Sequence, residues 1–342
     1  MVLKILAIET SCDETSVAIV EDGRRILANV IDSQIEIHKK FGGVVPEIAS
    51  RRHIEKIDEV LAEALKASGL VLEDMDAVAV TKGPGLVGAL LVGVNYAKAL
   101  AYGLGKPLIG VNHIDGHIAA NYLAFETLSP PFMALIVSGG HSHIVEVLDY
   151  GVYRLMGQTR DDAIGEAFDK VARTLGYGYP GGPYIDDASK RGDPEAISFP
   201  RTYLEKGSYD FSFSGIKSAV LNYLNQQQMK GLEVVKEDVA ASFQEAVVEV
   251  VVQKIIAATL TAGHRILAVA GGVASNSRLR ELLTREGEKH QLKVLFPDPL
   301  LCTDNGAMIG AAAYYQSLEK DYADLSLNGI PNLQLRTVDN LR

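Results

Sequence analysis

The chain has 342 residues, of which 47% are hydrophobic and 22% are charged, a composition typical of globular proteins with one large or two ordinary domains. Its 33 basic and 43 acidic residues give a net charge of −10, which argues against a free-standing nucleic-acid binder because phosphate contacts need concentrated Lys and Arg. The only cysteines, Cys12 and Cys302, exclude a disulfide framework and a four-thiolate zinc site.

Neither a membrane span nor a secretory signal is predicted. No segment reaches about 18 uninterrupted apolar residues, and residues 1–8 run into Glu9 and Asp13 without a long apolar region or a cleavage site. The sequence therefore predicts a cytoplasmic protein that does not act at a membrane.

The first part of the chain predicts a meander of three strands at residues 3–8, 16–20 and 25–31, joined by polar turns. The same order returns at residues 133–137, 143–148 and 152–156. This is an internal repeat.

Each copy of the meander is followed by a strand, a helix and a strand. The first set is predicted at residues 77–81, 87–102 and 107–111, and the second at residues 266–270, 277–286 and 293–296. Two such copies predict an α/β protein with two lobes and mixed sheets. This is the layout of the actin and hexokinase (ASKHA) superfamily, with duplicated ribonuclease-H-like domains and nucleotide in a central cleft.

The predicted N-terminal lobe comprises residues 1–118 and 305–342, and the C-terminal lobe comprises residues 119–304. An insertion at about residues 157–228 is rich in Gly, Asp and Tyr, and insertions of this size often carry function. Helices are predicted to begin with Ser214 and Asp238 as N-caps, and a final helix at residues 307–318 is expected to pack on the first lobe.

His113 and His117 are the sharpest chemical signal. Residues four apart on a helix project side by side and can bind one metal, and the repeat places Asp304 at the matching position of the other lobe. Such a nitrogen and oxygen set leaves coordination positions open, as iron or zinc needs to hold a substrate oxygen. The alternative is two unconnected histidines at a helix start.

Glycine-rich segments follow two buried strands, at residues 138–141 and 271–276. Glycines there let the backbone approach an anion, and Asn276 stands at a helix start that favours one. A hairpin turn and a simple N-cap are the alternatives. In the insertion, residues 176–183 predict a rigid loop against a nucleotide, with Asp169 or Asp186 binding ribose hydroxyls; a plain loop is the alternative.

Seven ordered segments resemble the TsaD family, tRNA threonylcarbamoyladenosine transferases with the older name Gcp. They are IETSCDET at 8–15, PEIASR at 46–51, GPGL at 83–86, NH at 112–113 with His117, VSGGH at 137–141, FSFSG at 211–215 and DNG at 304–306. The resemblance extends to about residue 320. One departure is Asp115, where the family commonly has Glu between the histidines; that residue is not a ligand.

The resemblance implies metal ligands at His113, His117 and Asp304. It implies a substrate-binding set of Ile136, Val137, Ser138, Gly139, Gly140, Asp169, Gly182, Asp186 and Asn276. The implied cofactor is one divalent metal per chain, with Fe²⁺ favoured and Zn²⁺ as the alternative.

The implied reaction transfers a threonylcarbamoyl group from threonylcarbamoyl-AMP to the exocyclic amine of the adenosine 3′ of the anticodon, in tRNAs that read codons beginning with A. No catalytic residue is assigned beyond the metal site, because a mixed anhydride is already activated and needs no covalent nucleophile. A metal-dependent glycoprotease, which would lack the usual Glu after His113, and a sugar kinase or actin-like ATPase are the alternatives.

The implied partners are tRNA, a TsaB-like paralogue without the metal site, a TsaE-like P-loop ATPase and a separate enzyme that makes the adenylate. Because the chain is acidic, we expect partner proteins to supply part of the basic surface for tRNA. Basic residues near Lys39 and Arg51 are candidate tRNA contacts on this chain, and a solvated surface is the alternative.

Overall fold

The computed structural model describes residues 2–339. The strands are β1 (Lys4–Glu9), β2 (Glu14–Glu21), β3 (Arg25–Ser33), β4 (Ala77–Gly83), β5 (Leu108–Asn112), β6 (Phe132–Val137), β7 (Ser142–Asp149), β8 (Val152–Gln158), β9 (Ile266–Ala270) and β10 (Lys293–Leu295). The α-helices are α1 (Ile35–His38), α2 (Pro46–Ser68), α3 (Val87–Leu104), α4 (His113–Ala124), α5 (Ile164–Thr174), α6 (Gly181–Ser189), α7 (Ser214–Met229), α8 (Lys236–Thr261), α9 (Ser277–Lys289), α10 (Pro299–Cys302) and α11 (Gly306–Leu318).

The chain divides into two compact units. Unit 1 contains the residues up to Pro130, Asp149–Val152 and the residues from Pro297 onward, and unit 2 contains Pro131–Leu148 and Tyr153–Phe296. The divisions fall near residues 130 and 297, whereas the predicted lobes divided at 118 and 304. The difference arises because α4 continues beyond residue 118 and α10 packs against α4, so that Asp304 belongs to the same unit as His113 and His117.

The two units contain sheets of the same topology. In unit 1 the strand order is β3-β2-β1-β4-β5, and in unit 2 it is β8-β7-β6-β9-β10. The central strand is antiparallel to the second strand of the meander and parallel to the strand on its other side in both sheets. The predicted internal repeat and mixed sheets are therefore confirmed.

The central strand of each sheet is buried along nearly its whole length. Every residue of β6 and all but the first of β1 are buried, which agrees with their nearly continuous apolar sequences. In unit 1, α2 and α3 pack against the sheet, and α11 packs against β1, β2 and α4. A Cβ atom at Gly306 would lie 2.7 Å from the backbone nitrogen of Ala18, so the start of α11 requires glycine to approach the sheet this closely.

Helix α3 is the one helix of residues 2–339 that is long and apolar enough, by length and composition, to cross a membrane. Its residues Ala89, Leu90, Val94 and Ala97 are buried, and the helix packs against β4 and α2. These contacts are those of a core helix in unit 1.

Two predicted N-caps were wrong. Helix α8 begins after Val235, and Asp238 instead accepts a hydrogen bond from the backbone N–H of Asp193 at 2.9 Å. Helix α7 begins after Phe213, and Ser214 is its first helical residue.

The start of α7 is held by Asp161, which lies about fifty residues earlier in the chain. The Asp161 carboxylate accepts hydrogen bonds from the hydroxyls of Ser212 and Ser214, both at 2.6 Å, and from the backbone N–H groups of Phe213 at 2.8 Å and Ser214 at 3.3 Å. Although burial by itself raises the pKa of Asp161, these bonds lower it below its usual range. The ionised carboxylate therefore acts as a distant N-cap.

We expect Asp161→Asn to lower the free energy of unfolding by about 1 kcal/mol at pH 7, since this partly exposed cap loses its charge. Because the folded-state pKa is lowered, the stabilisation is complete above a carboxyl pKa of about 4 and is lost as the pH falls. Urea unfolding at pH 7 and pH 3 should show the difference between wild type and variant shrinking at the lower pH. Asp187→Asn removes an exposed ion pair with Arg191 and should leave the free energy of unfolding unchanged at both pH values. An equal effect of the two substitutions would contradict the role of Asp161 as the N-cap of α7.

Candidate functional site

His113 and His117 lie on the first turns of α4, directly after β5. The side-chain oxygen of Asn112 accepts a hydrogen bond from the backbone N–H of Ile114 at 2.9 Å and so begins the helix at the end of the strand. Both imidazoles are buried, with ring centroids 4.7 Å apart and ring planes at 81°. The spacing of four residues therefore places them on one helix face, as predicted.

Asp304 precedes α11 and meets both histidines within unit 1. Its Oδ1 atom lies 3.4 Å from His113 Nε2 and 3.3 Å from His117 Nε2. One ligand atom from each of the three residues lies within 4.8 Å of the other two. The structure thus brings together the three residues that the sequence predicted as metal ligands.

The three side chains form a donor set that suits a divalent transition metal. His117 Nε2 approaches the Asp304 carboxylate without forming a hydrogen bond, and His117 Nδ1 has no hydrogen-bond partner among the described residues. Buried polar atoms without partners are costly. Two imidazoles and a carboxylate that converge in this way are the donor set of an open metal site.

The electrostatics of the cluster also favour a bound cation. Burial alone would lower the pKa of His113, but the carboxylates of Asp304 and Glu9 raise it well above its usual range. Burial lowers the pKa of His117, which keeps that imidazole in the neutral form that binds metals. The carboxylates of Glu9 and Asp304 therefore draw positive charge to this position.

Glu9 forms a second layer behind His113 that the sequence analysis did not identify. Its Oε2 atom lies 3.2 Å from His113 Nδ1 and accepts a hydrogen bond from the Thr81 hydroxyl at 2.6 Å, while Oε1 accepts one from the backbone N–H of Ser11. A proton on Nδ1 leaves Nε2 free for a metal. The available signal was an acidic residue at the end of an otherwise apolar strand.

The predicted substrate segment lies at the end of β6 in unit 2. After Ile136 and Val137, the backbone N–H of Ser138 donates to the carbonyl of His141 at 2.8 Å, and the Ser138 hydroxyl accepts from the backbone N–H of His141 at 3.1 Å. Gly139 and Gly140 are exposed in this turn. A Cβ atom at either glycine would meet nothing within 4 Å, so the space beside them is open.

A second glycine brings the other predicted segment to the same place. Gly271 has a left-handed φ of 90°, and a Cβ atom there would lie 2.3 Å from the carbonyl oxygen of Val137. Only glycine permits this contact. The structure therefore brings residues 136–140 and 271–276 together.

Three further predicted contacts each hold the start of a helix. Asp169 Oδ1 accepts from the backbone N–H of Gly181 at 2.6 Å at the start of α6. Asp186 Oδ1 accepts from the backbone N–H and the hydroxyl of Ser277 at 3.1 and 2.7 Å, and Asn276 Oδ1 caps α9. The alternative interpretation of Asn276 as an N-cap is therefore observed, and residues 181–183 belong to α6 rather than to the predicted loop.

Gln244 of α8 connects two of these elements and was also missed from the sequence. Its side-chain amide donates to the Ser189 hydroxyl and its oxygen accepts from the Asn276 amide, both at 2.7 Å, and the residue is buried. A glutamine inside an apolar helix face was the available signal. A Cβ atom built on Gly182, the second residue of α6, would meet nothing within 4 Å.

The predicted basic face is largely neutralised. Lys39 pairs with Glu36 at 2.5 Å, and Arg51 pairs with Glu47 at 2.6 Å. The cations that the sequence offered as tRNA contacts therefore have carboxylates beside them.

A family model and similar proteins from other organisms indicate the same family for this chain. The TsaD family model, described as tRNA N6-adenosine threonylcarbamoyltransferase, matches residues 25–311. A tRNA N6-adenosine threonylcarbamoyltransferase of Clostridium perfringens is 60% identical over 331 residues, which cover 97% of this chain and 98% of that protein. A protein of the same name from Clostridioides difficile is 58% identical over 330 residues, covering 96% and 98%.

Solved structures share the fold at low identity. Full-length HypF matches with a TM-score of 0.61 and 16% identity, over 93% of this chain and 47% of that one. Component A of the (R)-2-hydroxyglutaryl-CoA dehydratase of Acidaminococcus fermentans matches with a TM-score of 0.54 and 15% identity, over 92% and 99%. These likenesses concern the fold alone and agree with the predicted fold class.

Glu9→Gln should weaken metal binding by about 10- to 100-fold, because it removes the charge that supports the His113 imidazole. Chelator competition with Co²⁺ or Zn²⁺ measures this without any assay of activity. Glu146→Gln is the matched control, since Glu146 is a buried carboxylate 2.8 Å from His264 Nε2 in unit 2. Unchanged affinity in the Glu9 variant would show that the second layer does not tune the site.

Proposed function

The chain belongs to the TsaD family of tRNA N6-adenosine threonylcarbamoyltransferases, and from this premise we propose how its side chains divide the work. The enzyme transfers a threonylcarbamoyl group to the N6 amine of an adenosine in tRNA. The proposed donor is threonylcarbamoyl-AMP, and the proposed acceptor is the adenosine 3′ of the anticodon in tRNAs that read codons beginning with A.

The family implies a divalent metal, and we assign it to His113, His117 and Asp304. The observation that carries this assignment is the convergence of one ligand atom from each of the three side chains within 4.8 Å of the others, with no hydrogen-bond partner among the described residues for either nitrogen of His117. Fe²⁺ is favoured and Zn²⁺ is the alternative, because both accept mixed nitrogen and oxygen ligands. When bound, such a metal supplies a Lewis acid for an oxygen of the threonylcarbamoyl group.

The glycine segments of unit 2 are assigned to the adenylate. Within the substrate-binding segment 136–140, Gly139 and Gly140 would hold the adenylate part together with Gly182 and Asn276. Asp169 and Asp186 would be further contacts. Support comes from the open space beside Gly140 and Gly182.

The chemistry requires positioning rather than a covalent nucleophile. The N6 amine forms a bond to the carbamoyl carbon, the bond from that carbon to the AMP oxygen breaks, and the amine loses a proton. The mixed anhydride is already activated. These residues therefore need only hold the reactants in place and stabilise the negative charge on the departing AMP.

Partner proteins are proposed to complete the tRNA surface. The net charge of −10 and the ion pairs at Lys39 and Arg51 leave little positive potential on this chain. We propose a TsaB-like paralogue, a TsaE-like P-loop ATPase and a separate adenylate-forming enzyme as partners, and a cytoplasmic location. The glycoprotease and sugar-kinase alternatives gain no support from relatives that are 58–60% identical and named as transferases.

Asp304→Ala should reduce threonylcarbamoyladenosine formation by at least about 100-fold, since it removes a proposed metal ligand. The full chain is combined with its partners, threonine, bicarbonate, ATP and unmodified tRNA, and the nucleoside is measured by mass spectrometry. Asp298→Ala removes an exposed carboxylate from the same segment and should behave as wild type.

Equal product from Asp304→Ala and wild type would contradict the metal assignment. No product from wild type, with partners shown active alongside another family member, would contradict the donor and partner proposals.

Gly182→Val should raise the KM for threonylcarbamoyl-AMP by about 10-fold or more without lowering Tm. A Cβ atom there meets nothing within 4 Å, so the cost of the added side chain is expected to fall on the ligand that shares the space. Gly103→Val, which is also free of neighbours within 4 Å, is the control in unit 1. An unchanged KM would remove Gly182 from the adenylate site.

A further inference from the structure

Two tyrosine rings lie parallel at the surface where the loop after α5 leads into α6. The ring centroids of Tyr177 and Tyr184 are 6.4 Å apart, and the ring planes are within 3° of parallel. Lys236, the first residue of α8, places its Nζ 5.9 Å from the centroid of the Tyr177 ring. We call Tyr177, Tyr184 and Lys236 the tyrosine platform; all three belong to unit 2.

The backbone of the loop makes room for this arrangement. A Cβ atom at Gly178 would lie 3.0 to 3.2 Å from the ring and hydroxyl of Tyr184. Gly176 has a left-handed φ of 78°, and a Cβ atom there would lie 3.5 Å from the Lys236 ammonium. The glycines therefore let the Tyr184 ring and the lysine lie directly against the chain.

The platform is accessible, and its cation is available. Tyr184 is 43% exposed, which leaves much of its apolar surface outside the core. Within residues 2–339, Lys236 makes no ion pair within 4.0 Å, whereas the nearby Lys190 and Arg191 pair with Asp186 and Asp187. A free ammonium beside an exposed aromatic surface is the combination that binds single-stranded nucleic acid.

The position of the platform relates it to the reaction. Tyr184 lies on α6 between Gly182 and Asp186, the proposed adenylate contacts. The adenosine amine must reach the activated carbon of the adenylate, so the neighbouring bases of the tRNA loop must pass over the elements that hold the adenylate. Unpaired loop bases are commonly bound by stacking on aromatic side chains.

We propose that the tyrosine platform stacks an unpaired base of the tRNA anticodon loop while Lys236 neutralises an adjoining phosphate. The inference rests on the proposed function, because it takes α6 as part of the adenylate site. It assigns to this acidic chain a direct tRNA contact away from the Lys39 and Arg51 stretch.

The first test measures tRNA affinity and KM in the assembled complex. Tyr184→Leu should weaken tRNA binding by about 5- to 150-fold, the range for loss of one stacked base, and leave the KM for threonylcarbamoyl-AMP unchanged. Tyr184→Phe keeps the aromatic ring and should bind as wild type. Tyr203→Leu changes a tyrosine of unit 2 that is 49% exposed and is the matched control. Lys236→Ala should lower the slope of log affinity against log salt by about 1.

The second test identifies the base. Anticodon stem-loop RNAs with one abasic loop position each are titrated against wild type and Tyr184→Leu. When the base at the stacked position is missing, wild type should bind the RNA more weakly than it binds the intact stem-loop. Tyr184→Leu should bind the two RNAs equally. Additive losses at every position would overturn the platform.

Other outcomes are also decisive. A raised KM for threonylcarbamoyl-AMP with unchanged tRNA affinity would mean that the platform binds the adenine of the adenylate, and weakened complex assembly would mean that it binds a protein; both overturn the tRNA contact. Normal tRNA binding by Tyr184→Leu with normal product formation would overturn the platform alone, whereas absence of product from wild type would overturn the proposed function.

Discussion

Placing two carboxylates, one buried and one partly exposed, beside two buried imidazoles requires a compensating positive charge. Glu9 and Asp304 lie on opposite sides of His113, one at each ring nitrogen, and desolvated anions this close are tolerated only when a cation or a shared proton balances them. The rest of unit 1 serves that arrangement. Strand β1 ends at Glu9, and β5 ends immediately before His113. Asp304 lies just before α11, and Gly306 allows the first turn of α11 to pack directly against the sheet.

The duplicated topology explains why the two units carry different chemistry at equivalent places. Both sheets have the same strand order, so the segments that follow their parallel strands are positions where α/β proteins place ligands. Unit 1 fills these positions with imidazole and carboxylate groups. Unit 2 fills them with glycines, and Gly271 approaches Val137 so closely that no side chain fits. Unit 1 thus presents the proposed metal ligands, and unit 2 presents open backbone.

Much of this was predictable from sequence because it follows from local pattern. The strands follow apolar runs, β9 has the predicted bounds, and Asn276 caps α9, which was the alternative to an anion contact there. The features that were missed depend on partners distant in the chain. Asp161 caps α7 from about fifty residues away, Glu9 meets His113 only through the pairing of strands, and the placement of Asp304 in unit 1 depends on the packing of α10 against α4. Spacing along the sequence carries no information about such contacts.

The candidate substrate residues also show why function and stability are joined in unit 2. Asp169, Asp186 and Asn276 each use one side-chain oxygen to hold the start of α6 or α9, and Gln244 fixes the remaining amide of Asn276. Groups held in this way lose little further freedom when a ligand arrives, so their ordering is complete before binding. Substituting any of these residues therefore disturbs a helix start as well as a proposed ligand contact. Gly140 and Gly182 hold no helix start in this way. Substitutions at these glycines can therefore test ligand binding without disturbing the fold, which substitutions of the polar residues cannot do.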